Sequence, residues 1–187
     1  MNKSSLLARV PRDFGVELDI RDYNGRLVIN HEPYSGGELF EGYCKRFDHA
    51  LMIVDVKAEG IEKMALRVLE KNGIENFFLL GLSFPAIVAL SSAGERRIGL
   101  RFSEYEPVEG CLAMAGKAEW AWVDTFTKLP LNPHSYRKLK QAGFRTCLVC
   151  PERWGRPGDI PKYKKYIEEN RILPDAVMSS LKFISRW

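Results

Sequence analysis

The sequence predicts an α/β fold built from parallel βα units, and three observations indicate it. Apolar runs of strand length alternate with segments that have helical apolar spacing. These segments end at residues typical of helix termini, as at Asn72-Gly73 and Gly94, and Pro161 lies in the first turn of another. The chain has 187 residues, 45% of them hydrophobic, which is enough to bury a core. We therefore expect residues 1–187 to form a single domain.

The predicted elements follow one another in a regular order. An opening pair of strands covers residues 15–21 and 26–31. Later strands are predicted at residues 50–57, 76–83, 98–104, 120–125, 146–150 and 176–180, and helices at 61–69, from 84 to the stop at Gly94, 134–141 and 160–170. With the second run taken as an added strand, seven strands remain for a parallel barrel, and a closed one needs eight. We therefore expect a TIM-type (β/α)8 barrel that is incomplete at its N-terminus, where the first strand is absent.

Composition excludes some classes of function. The formal net charge of +4 comes from basic and acidic residues mixed along the sequence, so we expect no nucleic-acid partner. The densest basic stretch, residues 162–166, has the spacing of a solvated helix face. No segment approaches the ~20 apolar residues of a membrane span, and the first residues lack the apolar run of a signal peptide. The expected location is cytoplasmic.

The four cysteines, Cys44, Cys111, Cys147 and Cys150, indicate free thiols in a reducing compartment rather than a disulfide framework. Cys147 and Cys150 form a C-x-x-C pattern. It lies in a strand-like run, where positions three apart face opposite sides, so a redox or zinc role is disfavoured.

The most informative residues lie in the opening pair of strands. In Gly15-Val16-Glu17-Leu18-Asp19, two carboxylates alternate with apolar residues, so both point to one side of a strand. His31 ends the next run. This arrangement could hold a divalent metal with a proton-transfer group nearby.

These residues resemble the motifs of the phospholipase C-like phosphodiesterases and, within that superfamily, of the glycerophosphodiester phosphodiesterases. In that family a G-x-E-x-D strand precedes a V-x-x-H-D/E-P segment, and the third barrel strand ends in an acidic residue and a lysine two apart. Here the elements are Gly15-Val16-Glu17-Leu18-Asp19, Val28-Ile29-Asn30-His31-Glu32-Pro33 and Asp55-Val56-Lys57. The resemblance implies a distorted (β/α)8 barrel with its site at the C-terminal ends of the strands. The βα alternation continues to Ser180, but the later strands carry no matched motif.

The sequence departs from the family's pattern at its start. The family has a first strand that ends in His-Arg, and that histidine is one of its two catalytic histidines. This sequence begins at residues 6–10, which resemble the first helix, and contains no such strand. Two explanations stay open: the beginning of the chain is missing, or the protein has lost this strand and half of its acid/base pair.

The resemblance also implies a role for each motif residue. Glu17, Asp19 and Asp55 would bind one Mg²⁺ or Ca²⁺ through oxygen ligands, and this metal would offset the repulsion among the three carboxylates. Lys57 would neutralise phosphate charge, and His31 would act as general acid or base. Hydrolysis of a phosphodiester, which is a stable anion, needs both charge neutralisation and protonation of the leaving oxygen.

The same residues also allow purely structural interpretations. Glu17 and Asp19 could line the solvent side of an edge strand. Asp55 and Lys57 could form a buried ion pair between neighbouring strands. His31 could be a loop histidine bonded to the backbone. A further possibility is that Lys57 forms a Schiff base with a carbonyl substrate, but Asp55 argues against it because it would keep the lysine charged.

Other polar residues fall near the ends of later predicted strands: Arg101, Glu104, Asp124 and Glu152. Arg101 could bind phosphate or lie in a solvated loop. Trp120 and Trp122 precede Asp124, and we expect them in the core rather than in a wall for an apolar or sugar group.

Two functions of different classes compete. The leading hypothesis is an enzyme, a phosphoric diester hydrolase of the glycerophosphodiester type that uses a metal to hydrolyse a small glycerol- or sugar-linked phosphodiester. The alternative is a catalytically impaired barrel that binds phosphorylated sugars or polyanions, because loss of one histidine would cripple turnover and leave binding intact. A barrel that lacks a strand leaves two unpaired edges. We therefore expect either a homodimer through that gap or cover by the termini, such as residues 182–187.

Overall fold

The alternating pattern of the sequence folds as βα units. The computed structural model describes residues 1–187, which divide into two units that we call unit 1 (Met1–Ala93) and unit 2 (Gly94–Trp187). Unit 1 contains β1 (Gly15–Tyr23), β2 (Arg26–Ile29), β3 (Glu38–Leu39), α1 (Phe40–Cys44), β4 (Leu51–Val56), α2 (Glu62–Lys71), β5 (Phe77–Leu80) and α3 (Phe84–Ser92). Unit 2 contains β6 (Gly99–Phe102), α4 (Val108–Leu112), β7 (Trp120–Val123), α5 (Pro133–Gln141), β8 (Arg145–Val149), α6 (Ile160–Glu169) and β9 (Ala176–Met178). No helix is both long enough and apolar enough to cross a lipid bilayer.

The sheet of unit 1 combines parallel and antiparallel pairing. Its strand order is β3-β2-β1-β4-β5. β1, β4 and β5 run parallel to one another, whereas β2 and β3 extend the sheet from β1 as antiparallel strands. The second apolar run is therefore an added strand, as predicted. The parallel pairing of β1 and β4 runs from Gly15 opposite Leu51 to Ile20 opposite Val56, so the C-terminal end of β4 lies beside Ile20 of β1.

The sheet of unit 2 is parallel throughout, in the order β6-β7-β8-β9. The α/β class predicted from the sequence is confirmed. The closed TIM-type barrel is not confirmed, because the backbone hydrogen bonds join the strands into two sheets of five and four strands.

Three short elements were not predicted: β3, α1 and α4, which are two, five and five residues long. Segments of this length hold too few residues for a period to be recognised. Near the N-terminus, residues 6–10 were expected to be helical. A 3₁₀ helix covers Ser4–Arg9 instead.

Buried apolar side chains on both faces hold the central strands in place. All four residues of β5 are buried, as are five of the six residues of β4. Phe40 and Tyr43 from α1 are fully buried against this sheet's core. Continuous apolar runs of this kind are typical of parallel strands covered on both faces. In unit 2, Trp120 and Trp122 are both buried, which confirms their predicted place in the core.

The four cysteines are buried, and none of them forms a disulfide. Burial raises the pKa of the Cys111 thiol to about 12, and burial together with the charge of Glu41 raises that of Cys44 to about 12. Thiols of this kind stay protonated and unreactive at neutral pH. Near the C-terminus, the indole of Trp187 donates to the sulfur of Cys150 at 3.0 Å, which holds the last residues beside the end of β8.

The carboxylate of Asp175, the residue just before β9, forms hydrogen bonds with a residue of β8. Asp175 Oδ2 accepts hydrogen bonds from the amide of Thr146 at 2.8 Å and from its hydroxyl at 3.1 Å, and it lies 2.9 Å from the ammonium of Lys140. Burial raises the pKa of the Asp175 carboxyl, but the Thr146 hydrogen bonds and the Lys140 charge lower it more. The net pKa lies below the ordinary value of 3.8.

We expect Asp175→Asn to lower the free energy of unfolding at neutral pH by about 1 kcal/mol. Because the pKa of Asp175 is lower in the folded than in the unfolded chain, its contribution is fully present above about pH 4 and is lost as the pH falls through the folded-state pKa. Urea unfolding of both proteins at pH 7 and at several values below pH 4 measures this. Glu109→Gln, which removes an exposed carboxylate 3.4 Å from Lys138, should have little effect. A difference between parent and Asp175→Asn that stays constant at low pH would contradict the assignment.

Candidate functional site

Two neighbouring parallel strands bring three carboxylates together in unit 1. The register of β1 and β4 places Asp19 directly opposite Asp55. Glu17 lies two residues before Asp19 and therefore projects from the same face of β1. Carboxylate oxygens of the three residues all lie within 4.8 Å of one another, and Asp19 and Asp55 are buried. We call these three residues the carboxylate cluster.

Lys57 supplies positive charge to the carboxylate cluster. Its ammonium lies 2.6 Å from Asp55 Oδ2 and 3.2 Å from Asp19 Oδ1. Its backbone amide donates to Ile20 O at 2.8 Å, which fixes the chain just after β4. Burial lowers the pKa of Lys57, but the hydrogen bond and charge of Asp55 and the charge of Asp19 raise it more, so that its net pKa is raised. The lysine is therefore a stable cation, and the ion pair considered from the sequence is present.

The cluster fits a hard divalent cation, on two observations. All its donors are carboxylate oxygens, which Mg²⁺ and Ca²⁺ prefer as ligands. The second carboxylate oxygen of Asp55, Oδ1, is buried and has no hydrogen-bond partner. A buried carboxylate oxygen without a partner is costly, and a cation beside it would remove that cost.

Gly81, directly after β5, leaves the space that Asp55 occupies. Its backbone has a φ of +74°, a conformation that side chains rarely adopt. A β-carbon on Gly81 would overlap Asp55 Oδ1 and would lie 2.8 Å from Val56 O. The absence of a side chain on Gly81 is thus a condition for the position of the Asp55 carboxylate.

The first residues of the chain also contact the cluster. The side-chain amide of Asn2 donates to Asp19 Oδ2 at 2.8 Å, and its oxygen accepts from the Asp19 amide at 3.0 Å. The amino group of Met1 donates to Glu17 O and lies 3.7 Å from Glu17 Oε2. Asn2 therefore holds Asp19 at two points and restricts the orientation of its carboxylate.

The structure does not pair His31 with the carboxylate cluster. The backbone amide of Asn30 donates to Asp19 O at 3.1 Å, so the chain just before His31 runs beside Asp19 of β1. The imidazole itself is 63% exposed, and its Nδ1 lies 2.8 Å from Glu32 Oε1. Arg21 Nη2 donates to the carbonyl of His31 at 2.9 Å. Of the five residues predicted for the site, four form one contiguous group, and His31 lies on the adjoining loop.

The polar residues predicted near the later strand ends lie in unit 2. Asp124, just after β7, is buried and lies 3.4 Å from Arg101 Nη1. Glu104 accepts a hydrogen bond from the hydroxyl of Thr127 at 2.7 Å, and Glu152 accepts one from the amide of Ser180 at 2.8 Å. These carboxylates hold loops together.

Sequence reasoning did not find Asn2, Gly81 or Trp154, whose indole donates to Asp124 Oδ1 at 2.8 Å. Asn2 and Gly81 act on residues far along the chain, and no local pattern marks them. A weak signal exists for Gly81, since a glycine just after a buried strand often permits a close approach of another group.

Comparison with known proteins gives a fold and no family. No protein-family model matches the sequence, and no curated protein does. Among solved structures, the chain is similar to a protein from Agrobacterium tumefaciens str. C58, provisionally described as a glycerophosphoryl diester phosphodiesterase. The TM-score is 0.66 with 13% sequence identity, and the match covers 93% of this chain and 84% of the other. At this identity the likeness shows the fold alone: the chain has an α/β fold similar to that of this protein.

Proposed function

We propose that this protein is a metal-dependent phosphodiesterase that hydrolyses a small glycerol- or sugar-linked phosphodiester. One observation carries the proposal: three carboxylates and a lysine converge toward the end of the parallel β1–β4 ladder, where β4 reaches its C-terminus. Catalytic groups of parallel α/β proteins are commonly found at such ends. The similarity in fold to a protein provisionally described as a glycerophosphoryl diester phosphodiesterase supports the same class of reaction.

Each residue has a chemical task in this proposal. Glu17, Asp19 and Asp55 hold an Mg²⁺ or Ca²⁺ ion, which when bound supplies positive charge for the phosphoryl oxygens. The Lys57 ammonium donates to a phosphoryl oxygen and offsets charge that grows in the transition state. The His31 imidazole acts as the general acid and protonates the leaving alcohol oxygen.

Thermal and chemical unfolding with and without Mg²⁺, Ca²⁺ and Mn²⁺ tests the metal site. An ion at about 100 times its dissociation constant should stabilise the parent by about 2.7 kcal/mol. This stabilisation should be absent in Glu17→Gln and unchanged in Glu70→Gln, which alters an exposed glutamate of α2. Equal shifts in both variants would place the bound ion elsewhere. The absence of a shift with any ion would remove the metal site from the proposal.

Hydrolysis is tested with bis(p-nitrophenyl) phosphate and with glycerophosphodiesters in the presence of the stabilising ion. We expect His31→Ala to lower turnover by about 10²–10⁴-fold, the usual contribution of general acid/base catalysis. Metal-dependent stabilisation should remain in this variant, because His31 is not a proposed ligand. Turnover that is the same in His31→Ala would show that another group transfers the proton.

A second candidate function is binding of phosphorylated compounds without turnover. It is favoured by the exposure of the His31 imidazole and by its contact with Glu32 rather than with the cluster. The same experiments distinguish the two functions. If metal and phosphate compounds stabilise the parent protein but the parent hydrolyses none of them, the binding function is supported.

A further inference from the structure

Three aromatic rings of unit 2 contact one another, and two of the three are exposed. They are Tyr105, Phe126 and Trp154, and each lies in the loop after a different parallel strand: β6, β7 and β8 respectively. The ring centroids of Phe126 and Trp154 are 4.4 Å apart, and those of Tyr105 and Phe126 are 6.0 Å apart. Tyr105 is 71% exposed and Trp154 is 43% exposed. We call this surface the aromatic wall.

Hydrogen bonds hold the loops of the aromatic wall in place. Glu104, beside Tyr105, accepts from the amide and the hydroxyl of Thr127, the residue after Phe126. Arg156 Nη2 donates to the carbonyl of Thr125 and so ties the Trp154 loop to the Phe126 loop. The loops that carry the rings are thus held together, while Tyr105 and Trp154 remain exposed. Fixed exposed aromatic surface is typical of binding sites, because little order is lost when a ligand arrives.

A buried carboxylate joins the aromatic wall to a guanidinium. Asp124 Oδ1 accepts from the Trp154 indole at 2.8 Å, and Asp124 Oδ2 lies 3.3 Å from the Trp122 indole and 3.4 Å from Arg101 Nη1. The side chain of Arg101 is 37% exposed, and this contact engages only one of its N–H groups. Trp154 and Arg101 are therefore both anchored on one carboxylate, which fixes their spacing. The remaining guanidinium donors are available for an anion.

The geometry of the rings decides between two ligand chemistries. Aromatic surfaces can cage a quaternary ammonium between ring faces. A separation of 4.4 Å leaves no space for a cation between Phe126 and Trp154, and Arg101 would repel one. The aromatic wall can instead receive a ring on its outer face, as sugars and bases stack on tryptophan and tyrosine.

We propose that unit 2 binds a phosphorylated alcohol that carries a ring, with the ring stacked on the aromatic wall and the phosphate on Arg101. Sugar phosphates and nucleotides share this chemistry. The proposal uses no residue of the carboxylate cluster, so it stands whether or not that cluster binds a metal.

Isothermal titration of the full chain in EDTA tests the proposal. The probes are glucose phosphate, adenosine monophosphate, glycerol phosphate, which has no ring, and choline. We expect glucose phosphate, adenosine monophosphate or both to bind about tenfold more tightly than glycerol phosphate. Which of the two binds shows whether the stacked ring is a sugar or a base. Choline should not bind.

Variants separate the two parts of the site. Trp154→Ala should abolish the preference for a ring and leave the affinity for glycerol phosphate unchanged. Tyr105→Ala should reduce the same preference without disturbing the contacts of Asp124. This variant therefore tests the aromatic wall even if Trp154→Ala does not fold. Arg101→Met should weaken all phosphates about tenfold. The matched controls are Tyr34→Ala, a tyrosine 97% exposed in unit 1, and Arg137→Met, an exposed arginine of α5.

Several outcomes would overturn the proposal. Equal affinity for ring-bearing and ring-free phosphates, or a preference that survives both aromatic variants, would exclude the aromatic wall as the site. Binding of choline alone would replace the proposed ligand with a cation, and no binding of any probe would end the proposal. Because the titrations are made in EDTA, they do not depend on a metal at the carboxylate cluster, so failure of the metal site is distinguishable from failure of this site.

Discussion

Replacing Gly81 with alanine is expected to lower the free energy of unfolding by about 2–5 kcal/mol. An alanine at the φ of +74° costs about 1–2 kcal/mol, and its β-carbon would also overlap Asp55 Oδ1, adding an overpacking cost of about 1–3 kcal/mol. Urea unfolding measures the total. The same variant should lose stabilisation by divalent ions, because Asp55 must move away from the added methyl group.

Gly73→Ala is the matched control for the Gly81 variant. Gly73 has a similar φ of +65°, and a β-carbon there would meet no atom within 4 Å. Its replacement should cost only the backbone strain, about 1–2 kcal/mol, and should leave ion binding intact. If both variants lost the same stability, contact between Gly81 and Asp55 would not be the reason for the glycine.

Lys57→Met is expected to destabilise the ion-free protein by about 3 kcal/mol and to increase its response to divalent ions. The variant keeps a long apolar stem but removes the ammonium from Asp19 and Asp55, which leaves two buried carboxylates without their partner. A divalent cation can then restore the lost charge compensation. Unfolding in EDTA and at increasing Mg²⁺ or Ca²⁺ measures both effects.

The control for Lys57→Met is Lys71→Met, which removes an exposed ammonium 2.8 Å from Glu41. It should change the stability little, with or without ions, because exposed ion pairs contribute little. A Lys57→Met protein as stable as the parent in EDTA would show that the two carboxylates do not need the lysine as a partner, and so would weaken the case for a cation site.

The main strands and their carboxylates were predictable from local pattern. The alternation in β1 placed Glu17 and Asp19 on one face, and the apolar run of β4 placed Asp55 near a strand end. Their convergence depends on the register of two strands far apart in the sequence. No local pattern contains that register, and only the resemblance to a known motif set indicated it.

Other parts of the site were not predictable, for physical reasons. Asn2 and Gly81 act through contacts with Asp19 and Asp55 that exist only after the sheet has formed. The exposed face of Trp154 depends on Asp124, in another loop, to anchor its indole. The exposed imidazole of His31 likewise follows from the path of a loop rather than from a periodic pattern.

The direct pairing of Asp19 with Asp55 also bears on the order in which the sheet assembles. Near its start the β1–β4 ladder pairs two apolar residues, Val16 and Met52, and it reaches the two carboxylates near its other end. Repulsion between the two carboxylates opposes strand pairing at the acidic end until a positive charge is present. Apolar contacts favour strand pairing at the start of the ladder. We therefore expect the backbone pairing of β1 and β4 to form first at the start of the ladder and last at its acidic end. The conflict between charge and pairing is thus confined to the last step, where a cation can relieve it.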